Sequence, residues 1–223
     1  AGDQDANVLV GNGEATTLKA ANGDDLIVST AASSDISGGG GSDIVLTGYG
    51  DDAIWTHGGD DLIVLQGGQN TVFAGSGNDT IFMEGGSSVV SGDLGSDLFV
   101  VRNETGIGDK IVGFESGSDL IDLTHYAGLD YEDLVFGQSE QSGNLTVAFG
   151  DHGGDYLLEI SFADDAQDRG GSEEMFIFSD GDGMPVRQAW SPDPIVCGGF
   201  TDVPDAEEEA RTEPDWDYMH SLF

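Results

Sequence analysis

Residues 38–46 read GGGGSDIVL, and the motif in this stretch recurs along the first hundred residues. Steps of nine residues from Asp43 always meet a small polar anchor, from position 7 to position 97. A large apolar residue always stands two places after the anchor, and glycine stands two places before it at eight of the eleven anchors. A low-complexity disordered chain would not keep these columns in phase, so the pattern predicts a folded repeat array.

The repeat resembles the nonapeptide of the repeats-in-toxin (RTX) family, G-G-x-G-x-D-x-U-x, in which U is a large apolar residue. Residues 38–46 match every fixed position, and residues 56–64 (THGGDDLIV) and 74–82 (AGSGNDTIF) come close. Residues 29–37 (STAASSDIS) keep only the period and the apolar place. The resemblance extends over residues 1 to about 180, and it implies a secreted protein that binds calcium.

Each repeat has a simple physical interpretation. Its glycines allow the positive φ angles of a tight turn, and the next three residues form a short strand whose middle side chain points inward. Two nonapeptides then make one flattened coil of eighteen residues, and the coils stack into a roll with two parallel sheets. The sequence therefore predicts an all-β fold, a parallel β-roll followed by an antiparallel β part that packs on the roll.

Anchors eighteen residues apart become neighbours along one edge of the roll, and the two edges differ. Stacked carboxylates about 4.8 Å apart would repel one another unless a divalent cation lay between consecutive turns. Calcium suits this place because it accepts six to eight oxygens in flexible geometry, and the resemblance implies calcium bound in this way. The aspartate edge carries Asn7, Asp25, Asp43, Asp61, Asp79 and Asp97, and the second edge carries Thr16, Ser34, Asp52, Asn70 and Ser88.

We expect about four calcium ions on the aspartate edge, with a weaker terminal site near Asp3, Asp5 and Asn7. A metal-free roll with solvated aspartates is the alternative. On the second edge, we expect hydroxyl and amide hydrogen bonds to close the turns. Asp52 is interpreted there as a surface carboxylate, with an isolated metal site as the alternative. The predicted ligands of the aspartate edge are Asp25, Gly41, Asp43, Gly59, Asp61, Gly77, Asp79, Gly95 and Asp97.

The sheet that follows the aspartate edge has an outward surface that is apolar except at Thr80. This apolar face is larger than the surface that a soluble monomer usually exposes, so we expect residues 109–181 or another chain to cover it. The opposite sheet is mixed and carries Trp55 and Phe73 one coil apart, as a docking spot or a stacked pair. The apolar face consists of Val8, Val10, Leu26, Val28, Ile44, Leu46, Leu62, Val64, Thr80, Phe82, Leu98 and Val100.

Residues 102–182 follow the predicted roll, which we assign to residues 1–101, and they are predicted to form an antiparallel capping region. Apolar runs at 144–150, 155–162 and 174–181 favour strands separated by turns. Residues 109–123 (DKIVGFESGSDLIDL) resemble a phrase that follows the roll in serralysin-type secreted proteases. By analogy Asp109, Asp119 and Asp122 would complete a further calcium site, and strand-end hydrogen bonding is the alternative.

The composition excludes several functional classes. The chain has 43 acidic and 6 basic residues and a net charge of −37, so nucleic acids and anionic membranes are poor partners. No apolar run approaches eighteen residues, so no membrane span is predicted. The four histidines follow no ligand spacing and no catalytic motif occurs, so we predict no enzymatic activity. Cys197 is a lone small residue or the site of an intermolecular disulfide.

All five prolines fall between 185 and 214, and an acidic run precedes a terminal aromatic cluster. We therefore interpret residues 183–223 as an acidic tail that serves as a type I secretion signal or binds a partner. The first predicted function is a secreted, extracellular or cell-surface, non-catalytic protein that folds on binding calcium. Such a protein would have a structural, adhesive or assembly role, through the apolar face or the tail. The alternative is the C-terminal carrier module of a larger exported enzyme, of protease or alginate epimerase type.

Overall fold

Two nine-stranded sheets form the two walls of the molecule. The computed structural model describes residues 1–103, 108–150, 156–163, 175–179 and 185–188. Within these ranges the only helical segment is a 3-10 turn at Tyr131–Asp133. The strands are β1 (Val8–Gly11), β2 (Thr16–Asn22), β3 (Leu26–Ser29), β4 (Ser33–Gly40), β5 (Ile44–Thr47), β6 (Asp51–Gly58), β7 (Leu62–Leu65), β8 (Thr71–Ser76), β9 (Thr80–Met83), β10 (Val89–Leu94), β11 (Leu98–Val101), β12 (Lys110–Phe114), β13 (Leu120–Asp122), β14 (Val135–Gln138), β15 (Leu145–Phe149), β16 (Tyr156–Phe162), β17 (Phe176–Ser179) and β18 (Pro185–Gln188).

The strands stack in parallel with an eighteen-residue step. Leu26 of β3 pairs with Val8 on one side and with Ile44 on the other, and the same step relates β2, β4, β6 and β8 in the opposite sheet. The alternating strands thus form two walls of one roll, with order β1-β3-β5-β7-β9-β11 in the first sheet. This pairing confirms the predicted parallel β-roll of stacked coils.

The core of the roll consists of the residues two places after each anchor. Ile27, Val45, Ile63 and Ile81 of the first sheet are fully buried, and they face the equivalent apolar residues of the second sheet across a narrow interior. Fully burying one such side chain contributes roughly 1.5–3 kcal/mol. Since every coil supplies two of these side chains, stacking of further coils extends one continuous core.

Glycine is needed in the turns because consecutive coils approach each other very closely. The φ angles of Gly41, Gly59, Gly77 and Gly95 lie between 120° and 147°, in a region that L-residues rarely adopt. A Cβ atom on Gly59 would overlap the carbonyl oxygen of Gly41 in the preceding coil. These glycines therefore let the turns of the aspartate edge stack at the spacing of the strands.

Parallel stacking continues past residue 101, where the sequence predicts an antiparallel region. Strand β12 pairs in parallel with β10, and β13 pairs in parallel with β11. The step to the next coil grows from 18 to 21 residues between Ser88 and Asp109, and to 22 between Asp97 and Asp119. These longer turns break the nine-residue period, so the last coil does not follow that period in the sequence.

Antiparallel strands complete both sheets at the C-terminal end, as the sequence predicts. Strands β14, β15 and β16 form an antiparallel meander whose last strand runs parallel to β12. Strand β18 pairs antiparallel with β17, which runs parallel to β13. The predicted tail therefore begins with a strand at residues 185–188, whereas residues 189–223, including Cys197, lie outside the described residues.

The C-terminal strands extend the two sheets in the stacking direction, with aromatic side chains in their core. Phe149 packs against Tyr126 and Tyr156, with ring centroids 4.9 Å apart in both pairs. The apolar face of the first sheet is exposed at its N-terminal end, with Val8 and Val10 70% and 66% exposed, and most of its other residues are half-buried. In the described part of the chain, the capping region thus closes the end of the roll, and the apolar face is fully exposed only near its N-terminal end.

Candidate metal centre

The anchors of the aspartate edge form a ladder of main-chain to side-chain hydrogen bonds. The N–H of Asp43 donates to Oδ1 of Asp61 at 2.7 Å, and the N–H of Asp61 donates to Oδ1 of Asp79 at 2.8 Å. The same bond runs from every anchor to the next, from Asn7 to Asp119. Oδ1 of each aspartate therefore ties its own turn to the preceding coil.

The second carboxylate oxygen of these aspartates has no hydrogen-bond partner. Each side chain is buried, with an exposed fraction of at most 3%. A buried carboxylate oxygen without a donor is strongly unfavourable, and a proton or a cation bound to it would remove this penalty. The five oxygens are Oδ2 of Asp25, Asp43, Asp61, Asp79 and Asp97.

Burial also raises the pKa values along the ladder. It raises the pKa of Asp43 to about 6 and that of Asp79 to about 7, and repulsion by neighbouring aspartates adds to both shifts. The pKa of Asp97 rises to about 6 through burial and the charges of Asp119 and Glu115. The stacked carboxylates thus resist ionisation in the absence of a cation, and a divalent cation between turns would relieve this repulsion.

Two of the unpartnered oxygens lie directly against a glycine of the same coil, where any side chain would displace them. A Cβ atom on Gly38 would overlap Oδ2 of Asp43, and a Cβ atom on Gly92 would overlap Oδ2 of Asp97. The carboxylate and main-chain oxygens of such turns are the ligands that calcium prefers. The donor set therefore fits calcium. The predicted ligands Gly41, Gly59, Gly77 and Gly95 lie in the same turns, two residues before each anchor, and their ligation stays a prediction.

Both ends of the ladder are closed by hydrogen bonds. At the first turn, Oδ1 of Asn7 accepts the N–H of Asp3, and the Asn7 amide donates to Oδ1 of Asp3. At the last turn, Oδ2 of Asp119 accepts the N–H of Glu115 at 2.8 Å. On this edge, the carboxylate oxygens without a hydrogen-bond partner are thus the Oδ2 atoms of the five aspartates in between.

The structure does not bring Asp109, Asp119 and Asp122 together. Asp109 is the next anchor of the second edge, and its Oδ1 accepts the N–H of Ser88. Its Oδ2 accepts the hydroxyl of buried Tyr156 at 2.5 Å. Asp122 accepts the N–H of Thr124 from within β13. Each of the three carboxylates therefore has hydrogen-bond partners of its own, as in the alternative of strand-end hydrogen bonding.

The second edge is closed mainly by neutral hydrogen bonds, which confirms the prediction made for it. The hydroxyl groups of Ser29 and Ser34 lie 2.5 Å apart. The side-chain amide of Asn70 donates to the carbonyl of Gly67 and to Oγ of Ser88. These turns satisfy their polar groups without a cation.

Asp52 is the exception on the second edge, and its interpretation as a surface carboxylate is wrong. Its side chain is only 3% exposed, and neither carboxylate oxygen has a hydrogen bond of good geometry. Burial raises its pKa, although the nearby Ser34 acts in the opposite direction. Asn70 of the next coil accepts the N–H of Asp52. The carboxylate of Asp52 is therefore buried without a partner, and the alternative of an isolated metal site stays a prediction.

A second set of side chains links the coils in the opposite direction, and the sequence gives no clear signal of it. Oδ1 of Asp60 accepts the N–H of Asn78 in the following coil at 2.7 Å. Asp24 does the same for Ser42, and Asp51 for Gln69 on the second edge. These residues precede the anchors and are exposed to solvent, so part of the negative surface charge also stabilises the stack.

Side chains alone do not form a metal cluster in the described ranges, where no three carboxylate, imidazole or thiol groups converge. A cation at the ladder must therefore use main-chain oxygens as well.

His57 lies at the end of β6 with a φ angle of 75°, and its Nε2 is 3.1 Å from Oγ of Ser37. It is paired with Gly39 and Gly75 of the neighbouring strands. The described segments also contain no helix that is long and apolar enough to cross a membrane.

The repeats match a known family. Residues 37–72 and 66–99 match the model of the RTX calcium-binding nonapeptide repeat, which spans four copies. No curated protein gives a significant sequence match to the chain. The match and the parallel coils identify the roll as an RTX calcium-binding β-roll, and its repeats bind several calcium ions.

Proposed function

We propose that this RTX calcium-binding β-roll belongs to a secreted, non-catalytic protein that folds when calcium binds and then serves a structural or assembly role outside the cell. The observation that carries the proposal is the row of five buried, unpartnered carboxylate oxygens on the aspartate edge. Without a cation these groups oppose folding, and with calcium the binding free energy becomes folding free energy.

The proposed ligands are Oδ2 of the ladder aspartates together with main-chain oxygens of the turns. Each coil offers one such side-chain oxygen, since Oδ1 is used by the neighbouring N–H. Few charged ligands per ion give weak binding, as in extracellular modules whose dissociation constants are on the order of 10⁻⁴–10⁻³ M. Calcium at this level occurs outside cells, which supports an extracellular or cell-surface location.

The first experiment follows far-UV circular dichroism and sedimentation velocity during a calcium titration of the calcium-depleted protein. We expect a cooperative gain of β-structure together with compaction. Magnesium at the same concentration should act weakly, since it demands stricter octahedral geometry. Full β-structure in the depleted protein at neutral pH, with no response to calcium, would overturn the proposal.

A pair of adjacent variants tests the ligand assignment. Asp61→Asn keeps an oxygen for the N–H of Asp43 but replaces the orphan oxygen by an amide, and Asp60→Asn makes the same charge change at an exposed neighbour. We expect Asp61→Asn to raise the calcium midpoint of folding about tenfold, equivalent to about 1.4 kcal/mol. Asp60→Asn should shift it far less, and equal shifts would mean that only net charge matters.

A role as carrier module of a larger exported enzyme predicts the same calcium response, and the intact mass of the native protein separates the two.

A further inference from the structure

The outward surface of the second sheet carries one aromatic pair among small residues. Trp55 of β6 and Phe73 of β8 are register partners. Their ring planes are 12° apart and their centroids 6.4 Å apart, and each side chain is 39% exposed. Their outer neighbours in the same row are Ser37 and Ser91. Because a serine side chain is too short to cover an aromatic ring, the pair presents apolar ring surface to the solvent.

A groove of about 540 Å³ lies beside this pair, and Gly75 is part of its lining. His57 and Asp93, which also line the groove, are the register partners of Gly75 in the two neighbouring coils. Phe73 and Gly75 are two residues apart in β8 and therefore lie on the same surface of the sheet. Since glycine has no side chain, the space above Gly75 stays open between an imidazole and a carboxylate whose strands are roughly 10 Å apart.

Both polar residues of the groove are held in position. The hydroxyl of Ser91 donates to Oδ1 of Asp93 at 2.8 Å, and Nε2 of His57 lies 3.1 Å from Oγ of Ser37, in the coil on the side away from Gly75. The φ angles of His57 and Asp93 are 75° and 68°, at a register position where glycine would fold without strain. Backbone strain of this kind concentrates at ligand-binding sites, and the two strained residues are those that can hydrogen-bond a ligand in the groove.

We propose that the aromatic pair and the groove together bind a neutral carbohydrate. The C–H face of a sugar ring packs on the exposed aromatic surface, and the sugar hydroxyl groups form hydrogen bonds with the carboxylate of Asp93 and the imidazole of His57. This inference rests on the proposed function, since only the folded roll brings these residues together, and it adds a ligand class to the structural role outside the cell.

The size and the chemistry of the site select this ligand class. The groove volume lies within the range of about 300–1,000 Å³ that is typical of small-molecule sites. A specific protein interface buries ~800 Å² on each partner, far more than two half-exposed rings provide. The net charge of −37 disfavours anionic sugars. Carboxylate, imidazole and hydroxyl groups suit sugar hydroxyls, which both donate and accept hydrogen bonds, better than they suit a cation, which only donates.

The test is native affinity electrophoresis of the full chain in saturating calcium, in gels that contain dextran, hydroxyethyl cellulose or galactomannan. These neutral polymers present α-linked glucose, β-linked glucose, and mannose with galactose. We expect at least one of them to retard the protein. The dissociation constant should be on the order of 10⁻⁴–10⁻³ M, because a shallow site contacts few atoms of the ligand.

Variants locate the site, with circular dichroism of each sample as the check on folding. Trp55→Ala and Phe73→Ala remove partly exposed rings, and each should abolish the retardation. Tyr49→Ala removes an aromatic side chain that is 83% exposed and lies in a turn of the second edge, so it should leave the retardation unchanged. His57→Gly removes a hydrogen-bonding group and relieves backbone strain, so this variant should fold and bind about tenfold more weakly.

The outcomes separate this inference from the proposed function. A folded, calcium-responsive protein that none of the three polymers retards would overturn the carbohydrate site and leave the calcium function intact. Equal loss of retardation in Tyr49→Ala and Phe73→Ala would also overturn it, since any exposed aromatic residue would then serve. Binding of tetramethylammonium without binding of any polymer would assign the groove to cations instead. Failure to fold with calcium would refute the proposed function itself, and this inference with it.

Discussion

At the scale of single residues, the turns of the aspartate edge show how strongly stacking restricts the side chain. The column Ala21, Gly39, His57, Gly75 and Asp93 occupies one register position, and every member has a positive φ angle. Glycine adopts this conformation without strain, whereas an L-residue loses roughly 1–2 kcal/mol. His57 and Asp93 therefore hold backbone strain that the glycines of the same column avoid.

Replacing His57 by glycine should stabilise the folded protein. Relief of strain outweighs the extra entropy of the unfolded chain, and we expect a gain of about 0.5–1 kcal/mol in the free energy of unfolding. Urea denaturation at saturating calcium measures it. His57→Ala is the matched control, because it removes the same imidazole and its contact with Ser37 but keeps the strained φ angle. Equal stability of the two variants would show that the backbone is not strained there.

Asp52 gives a second test at this scale. Asp52→Asn removes a buried charge whose oxygens have no partner, so the calcium-depleted protein should gain about 1–3 kcal/mol of stability. The variant should also retain one calcium ion fewer per chain, as measured by metal analysis after gel filtration. Asp51→Asn, one residue away and exposed, is the control. An unchanged calcium content would mean that Asp52 is a buried carboxylate without metal.

Some of the features of these coils can be predicted from the sequence, and others cannot. The inward column of Ile27, Val45 and Ile63 is predictable because period and burial are both local properties of the repeat. The burial of Asp52 was not predicted, since a single aspartate among neutral anchors has the same sequence pattern whether its carboxylate is solvated or buried. The partner of Asp109 is Tyr156, 47 residues away, and no local pattern indicates such a pair.

At the scale of elements, the last coil differs from the coils of the ladder. Its two anchors, Asp109 and Asp119, both have their carboxylate oxygens paired within the protein. The long turns that precede them hide this coil from the nine-residue period, although Ile111 and Ile121 still follow two places after the anchors. The capping region, with its aromatic core around Phe149, thus closes the roll. At these two anchors it leaves no carboxylate oxygen without a hydrogen bond.

The hydrogen bond from the hydroxyl of Tyr156 to Asp109 should contribute strongly to the stability of the capping region. Tyr156→Phe leaves Oδ2 of buried Asp109 without its closest donor, and we expect a loss of about 1–3 kcal/mol. Chemical denaturation at saturating calcium measures the difference. Tyr49→Phe, at a residue that is 83% exposed, should have no measurable effect. If both variants unfold at the same denaturant concentration, the buried hydrogen bond contributes nothing to stability.

At the scale of the whole molecule, the aspartate edge makes stability depend on pH in opposite directions with and without calcium. In the depleted protein, the folded pKa values of Asp43, Asp79 and Asp97 lie at about 6, 7 and 6, above the ordinary value of 3.8. The folded state therefore binds more protons between these limits. The contribution to stability is fully present below about pH 4 and is lost as the pH rises through 6 to 7.

Acidification should therefore restore structure to the calcium-depleted protein. We expect its β-structure, measured by circular dichroism, to increase between pH 8 and about pH 4.5. With saturating calcium the trend reverses, because protons compete with the cation for the same oxygens. Loss of structure on acidification in both states would contradict the assignment of the raised pKa values to the ladder.

The even spacing of the aspartates also makes the edge a line of charge. In water, two unit charges about 7 Å apart interact with an energy close to RT, and the carboxylates of successive coils repeat at about 4.8 Å. Like a nucleic acid, such a row holds its counterions collectively. Occupancy of any one turn then depends on the length of the row on both sides of it, so the number of coils sets the calcium concentration at which the roll forms.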